Sequence, residues 1–77
     1  MTKSEFLSLY SEGCWASCED GLYTVESGIE DLDNMLEGLP SDVEIEVVED
    51  GLMGWPGDIF ARITFADGQR AGNLMAR

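Results

Sequence analysis

Apolar residues recur along this chain with two periods, and the change of period divides it into helices followed by strands. Thr2-x-x-Glu5 forms a capping box, and Phe6, Leu9 and Tyr10 follow at helical spacing, so a first helix is expected over about residues 3–11. Gly13 weakens its continuation. Cys14-Trp15-Ala16-Ser17-Cys18 offers a further turn or two before Gly21, a helix stop signal. Val25, Ile29, Leu32, Met35, Leu36 and Leu39 then repeat at 3.6-residue spacing, with Thr24 as N-cap and Gly38 and Pro40 as the end of a second helix. From Asp42 to Glu49 the period falls to two, the mark of a half-buried strand. Asp50-Gly51 is a turn signal. Ile59, Ala61, Ile63 and Phe65 mark another strand, and Asp67-Gly68 is a hairpin signal returning into Gln69–Met75. The expected fold class is α+β: a single domain over residues 1–77, with two N-terminal helices packed on one face of a small antiparallel β-meander of two to three strands.

Composition supports a folded chain. Its 77 residues include 44% hydrophobic residues and seven aromatics, which offsets the tendency of high net charge to oppose collapse. The only cysteines are Cys14 and Cys18, and no histidine is present, so the four ligands of a structural zinc site are lacking. On a helix the two thiols share a face, which suits reduced, structural cysteines better than a disulfide. The amino terminus has no apolar run of signal-peptide length, and no segment reaches the ~20 apolar residues of a membrane span. A cytoplasmic location follows as the expectation.

Charge changes the picture most. Between Lys3 and Arg62 lie fifty-eight residues with no basic side chain and fifteen of the sixteen acids, and the net charge is −12. On the expected second helix, Glu26, Glu30, Asp33 and Glu37 form a stripe about 110° from the apolar one. On the following strand, Asp42, Glu44 and Glu46 project from one face at intervals of about 6.8 Å. Like charges at i,i+4 cost a helix a few tenths of a kcal/mol per pair, and no lysine relieves them here. A solvated face accounts for either row alone. Two rows without counter-charge point to a binding surface.

Arg62, Arg70 and Arg77 oppose one acid, Asp67, after Ile59. They either neutralise acids within the fold or form a less negative end. The loop Leu52-Met53-Gly54-Trp55-Pro56-Gly57 offers Trp55 either as an interface anchor or as a core residue. Catalytic signatures are lacking: the sequence has no histidine and no Gly-rich phosphate loop, and its cysteines lack an evident base. Asp31-x-Asp33-x-Met35 lacks the third oxygen ligand and the glycine of an EF-hand loop. No enzyme activity, metal or cofactor is expected.

In length, charge and the rows Glu26/Glu30/Asp33/Glu37 and Asp42/Glu44/Glu46, the chain resembles the small acidic DNA-mimic inhibitors of phages and mobile elements, the anti-CRISPR and anti-restriction proteins. The resemblance is one of type, without a shared motif. It implies a non-enzymatic inhibitor that occupies the basic nucleic-acid-binding surface of a host defence protein, most readily a CRISPR effector subunit or nuclease. The seven acids of the rows would make the contact, with Trp55 as an apolar anchor. No direct contact with nucleic acid or membrane is implied. The alternative is an acidic adaptor that docks through the Trp55 loop and uses its charge for solubility.

Overall fold

A computed structural model describes residues 1–51 and 58–77. The described elements are α1 (Lys3–Leu9), β1 (Glu12–Glu19), β2 (Leu22–Val25), β3 (Glu30–Asp31), α2 (Leu32–Leu36), β4 (Glu44–Asp50), β5 (Ile59–Thr64) and β6 (Arg70–Ala76). All strand pairs are antiparallel, in the order β2-β1-β6-β5-β4, with β3 pairing β1 beside β2. Strands therefore dominate, and the expectation of two N-terminal helices on a two- to three-strand meander is overturned.

The first helix begins as its capping box requires. The Thr2 side chain accepts from the Glu5 N–H, and the Glu5 carboxylate accepts from the Thr2 N–H. Hydrogen bonding from Thr2, its backbone N–H foremost, holds the Glu5 carboxyl below its ordinary range. The meander strands expected over 42–49, 59–65 and 69–75 are found as β4, β5 and β6.

The segment from Cys14 to Leu39 departs from the helices expected there and is mostly strand and turn. Gly21, expected as a helix stop, and Asp20 before it both have positive φ (79° and 52°) and make the two-residue turn of a hairpin between β1 and β2. The supposed helical turn over 14–18 is part of β1. Its side chains alternate between the two sheet faces, so Cys14 and Cys18 share a face about 13 Å apart along the strand, too far for a disulfide. Thr24, the expected N-cap, pairs with Ser17 in the hairpin. Asp31 takes the capping role instead, its carboxylate accepting from the Asp33 N–H at 2.8 Å. Apolar periodicity is realised only from Leu32 onward: Leu32 and Leu36 are fully buried, whereas Val25 and Ile29 stand more than half exposed (57% and 58%).

One sheet face carries the main core. Phe6 from α1 and Leu32 and Leu36 from α2 pack with Ile45, Ile59, Ala61, Ile63, Leu74 and Ala76. Each large side chain buried there stabilises the fold by about 1.5–3 kcal/mol. The opposite face carries a smaller cluster of Cys14, Ala16, Phe60 and Met75, with Tyr23 packed against it. The Tyr23 and Phe60 rings meet edge to face, centroids 5.0 Å apart. From β2 at one edge, the Tyr23 hydroxyl donates to the Glu49 carboxylate on β4 at the other. In a flat sheet those strands would lie about 19 Å apart, beyond the reach of two side chains, so the sheet is strongly curled over this face.

The two edges are treated differently. On β4, Thr2 bridges to Glu44, and the Ile45 N–H donates to the Met1 carbonyl at 2.9 Å. A bulge follows at Val48. On the outer side of β2 no described strand pairs.

Gly13 allows β1 to approach β6. A Cβ at this position would run into the Met75 carbonyl oxygen and lie 3.1 Å from Leu32. Gly13→Ala is therefore expected to destabilise the fold by about 1–3 kcal/mol, read as a lower urea midpoint. Gly28→Ala, with nothing within 4 Å of the added carbon, should stay within about 0.5 kcal/mol of the parent. Equal midpoints for the two variants would refute this account of the β1–β6 contact.

Candidate charged interface

The acids of the expected helical stripe occupy four different settings. Glu26 follows β2 and its N–H donates to the Trp15 carbonyl at 2.8 Å. Glu30 lies in β3 opposite Gly13, Asp33 in the first turn of α2, and Glu37 at the α2 C-cap. All four are exposed. They do not form one helical row, because no helix spans residues 25–39. The structure does bring Asp33 and Glu37 together with Asp31 and Asn34 around a shallow polar recess that also contains Lys3. The Lys3 ammonium is directed to the Leu39 carbonyl, 2.9 Å away. Asp31, which the expected helical stripe omits, lines the same recess, and its place before the first buried leucine of α2 is the sequence signal for it.

Asp42 lies in the turn before β4, while Glu44 and Glu46 sit on β4 with exposed side chains between buried Val43 and Ile45 and half-buried Val47. Because Ile45 points into the core shared with the helices, Glu44 and Glu46 project from the other face of the sheet. The two acidic groups are thus separated by the sheet rather than joined into one surface. The bulge adds a member that simple alternation misassigns. Glu46 opposes Arg62, Val47 opposes Ala61, and Glu49 opposes Phe60, so the extra residue Val48 returns Glu49 to the face of Glu44 and Glu46.

This curled face also carries the arginines. Arg62 stands directly across from Glu46, and Arg70 pairs with Thr64, which opposes Glu44. Opposite charges directly across an antiparallel pair, as at Glu46 and Arg62, stabilise a sheet modestly, by about 0.2–1 kcal/mol, although these two do not close into an ion pair among the described residues. The guanidinium of Arg77 donates from Nε to Glu12 Oε1 at 2.9 Å, and the N-terminal ammonium meets Glu44 at 2.7 Å. These are the ion pairs among the described residues. Carboxylates outnumber their partners most clearly on the side of β3 and α2, where Lys3 is the nearby cation.

Trp55, and with it the adaptor reading through the 52–57 loop, lies outside the described residues. No group of three or more Cys, Asp or Glu side chains among the described residues is arranged to hold a metal ion. No helix among them is long and apolar enough to cross a membrane. No family model, curated protein or solved structure matches the chain.

Two titrating groups report on the curled face. Burial, with the nearby Asp58 carboxylate second, pushes the Cys14 thiol up, whereas Cys18 on the same strand is exposed. A thiol reagent should therefore label Cys18 in the folded protein and reach Cys14 at a comparable rate only in urea, as mass spectrometry of the two peptides would show. The hydrogen bond to Glu49 pushes the Tyr23 hydroxyl up to about 12. A phenol with a raised folded value contributes stability that is fully present below its ordinary value near 10 and is lost as pH rises toward about 12. Glu49→Gln should return the Tyr23 titration, followed by NMR of the ring carbon, toward the ordinary value, and an unmoved midpoint would refute the assignment.

Proposed function

We propose that this chain is a non-enzymatic binding protein that occupies the basic nucleic-acid-binding surface of another protein and excludes DNA from it. In the sharpest form of this reading the target is a host defence protein such as a CRISPR effector or nuclease, and the chain serves a phage or mobile element. One observation carries it: Glu26, Glu30, Asp31, Asp33 and Glu37 are all exposed, and none takes part in an ion pair within the described structure. Repulsion among such carboxylates weakens the fold slightly. A partner's lysines and arginines would relieve it, as they relieve the phosphates of DNA.

The proposed mimic departs from a simple duplex-like line of charge. Its contact surface is a strip running through β3 and α2, not a single helical row. The Glu44/Glu46/Glu49 column is a weaker candidate because Arg62 and Arg70 share its face. Opposite net charges favour rapid, salt-sensitive association.

The test is competition for labelled duplex DNA bound to a CRISPR effector, a restriction endonuclease and a histone-like protein. The expected result is displacement from at least one of them, with the Glu30→Lys/Asp33→Lys double variant needing more than about tenfold higher concentration. Raising salt to about 0.5 M should also weaken displacement. Failure to displace DNA from all three, or full displacement by a folded double variant, would overturn the proposal.

A further inference from the structure

We infer that the outer edge of β2 is a docking site for an extended peptide segment in which basic and apolar residues alternate. Glu26 donates to the Trp15 carbonyl at 2.8 Å, and hydrogen-bonded pairs alternate along an antiparallel ladder. Thr24 therefore bonds inward to Ser17, while the N–H and C=O groups of Tyr23 and Val25 point away from β1. No described strand meets them there. Exposed edges of this kind accept added strands unless they are blunted by lysine, proline, a bulge or a covering segment. Between Leu22 and Val25 the edge has no lysine, proline or bulge, and no described strand covers it.

The side chains along the edge define the partner's chemistry. Leu22, Val25 and Ile29 are exposed to 73%, 57% and 58%. Val25 and Ile29 border an apolar cleft walled by Cys14, Met75 and Ala76, which offers a seat for an apolar side chain. Glu19, Asp20, Glu26 and Glu30 surround the same edge, and residues 12–31 include no basic residue. Arg77, which also reaches the cleft, is held by Glu12 at 2.9 Å. An added strand thus meets open backbone groups, apolar side chains and uncompensated carboxylates together. A second copy of the chain supplies the first two but brings a charge of −12 to a surface of the same sign. The chemistry favours a basic partner segment. This inference requires backbone pairing and does not depend on the charge-based reading above.

Hydrogen exchange of the whole chain, followed residue by residue by NMR, tests it with two synthetic peptides of equal charge. One alternates lysine with valine, the other lysine with serine. The lysine–valine peptide should slow exchange at the Tyr23 and Val25 amides by more than about tenfold, and the lysine–serine peptide should leave them unchanged. Val25→Pro removes an outward donor and no bond to β1, so it should abolish the protection at Tyr23. Should that variant unfold, Val25→Lys, which sets a like charge against the peptide, is expected to reduce the protection at least about tenfold. Slowing by neither peptide, equal slowing by both, protection confined to other elements, or undiminished protection in the folded variant overturns the inference. Protection that appears without peptide as protein concentration rises also overturns it, in favour of a second copy. DNA displacement that survives Val25→Pro while peptide protection is lost separates this site from the β3 and α2 acids.

Discussion

The ladder between β1 and β6 joins the two ends of the chain, with Gly13 opposite Ala76 and Ala16 opposite Asn73. Contacts so distant in sequence close a long loop, and the entropy of closing it must be met before any packing rewards it. Gly13 makes the close approach possible. Once the ladder forms, β1 carries β2 and β3 on its other side, and the short α2 that follows β3 lands on the core face laid down by β5 and β6. A helix of five residues has little stability of its own. Leu32 and Leu36 hold it because the sheet beneath them already exists. The same ladder sets Cys14 against Met75 and so assembles the smaller cluster on the curled face.

The electrostatic arrangement follows from that architecture. Alternation along β4 sends Glu44 and Glu46 away from the helices, while Asp31 and Asp33 stay on the helical layer. The arginines come almost entirely from the last two strands. Arg62 lies beside the β4 acids because β5 pairs with β4, not because charge drew it there, whereas Arg77 meets Glu12. One side of the molecule is consequently mixed in sign and the other nearly unrelieved. In a body with a Cα radius of gyration of 11.6 Å, charges on the two sides lie beyond the ~8 Å screening length of physiological salt. A partner at one side therefore feels mainly that side.

Much of this was legible locally, and what was not legible depended on partners far along the chain. The capping box at Thr2 and Glu5 and the alternation from Val43 to Val47 are properties of short segments, and both were read from them. Asp20-Gly21 was also a local signal, but the same dipeptide ends helices and turns hairpins. Its meaning was fixed by whether Cys14–Cys18 had a strand to pair with, and that strand, β6, lies at the other end of the sequence. The periodicity of Val25, Ile29, Leu32 and Leu36 was accurate for the last two and coincidental for the first two. Acidic residues were correctly expected on the surface, since charge alone argues for exposure. Their grouping was not available, because the Val48 bulge exists only relative to β5 and the recess at Lys3 only relative to α1.

The unequal edges of the sheet set a limit on assembly. Heterologous stacking of sheets, edge to opposite edge, needs two receptive edges and can continue without end. Here β4 is interrupted by its bulge, lined with carboxylates and partly occupied by Met1 and Thr2, which leaves β2 as the receptive one. Two copies that met through β2 would each consume the edge that made the meeting possible, giving a closed twofold pair with nothing left to extend. The asymmetry that makes one side available thus also terminates growth, so a chain of exposed strands need not be a seed for fibres.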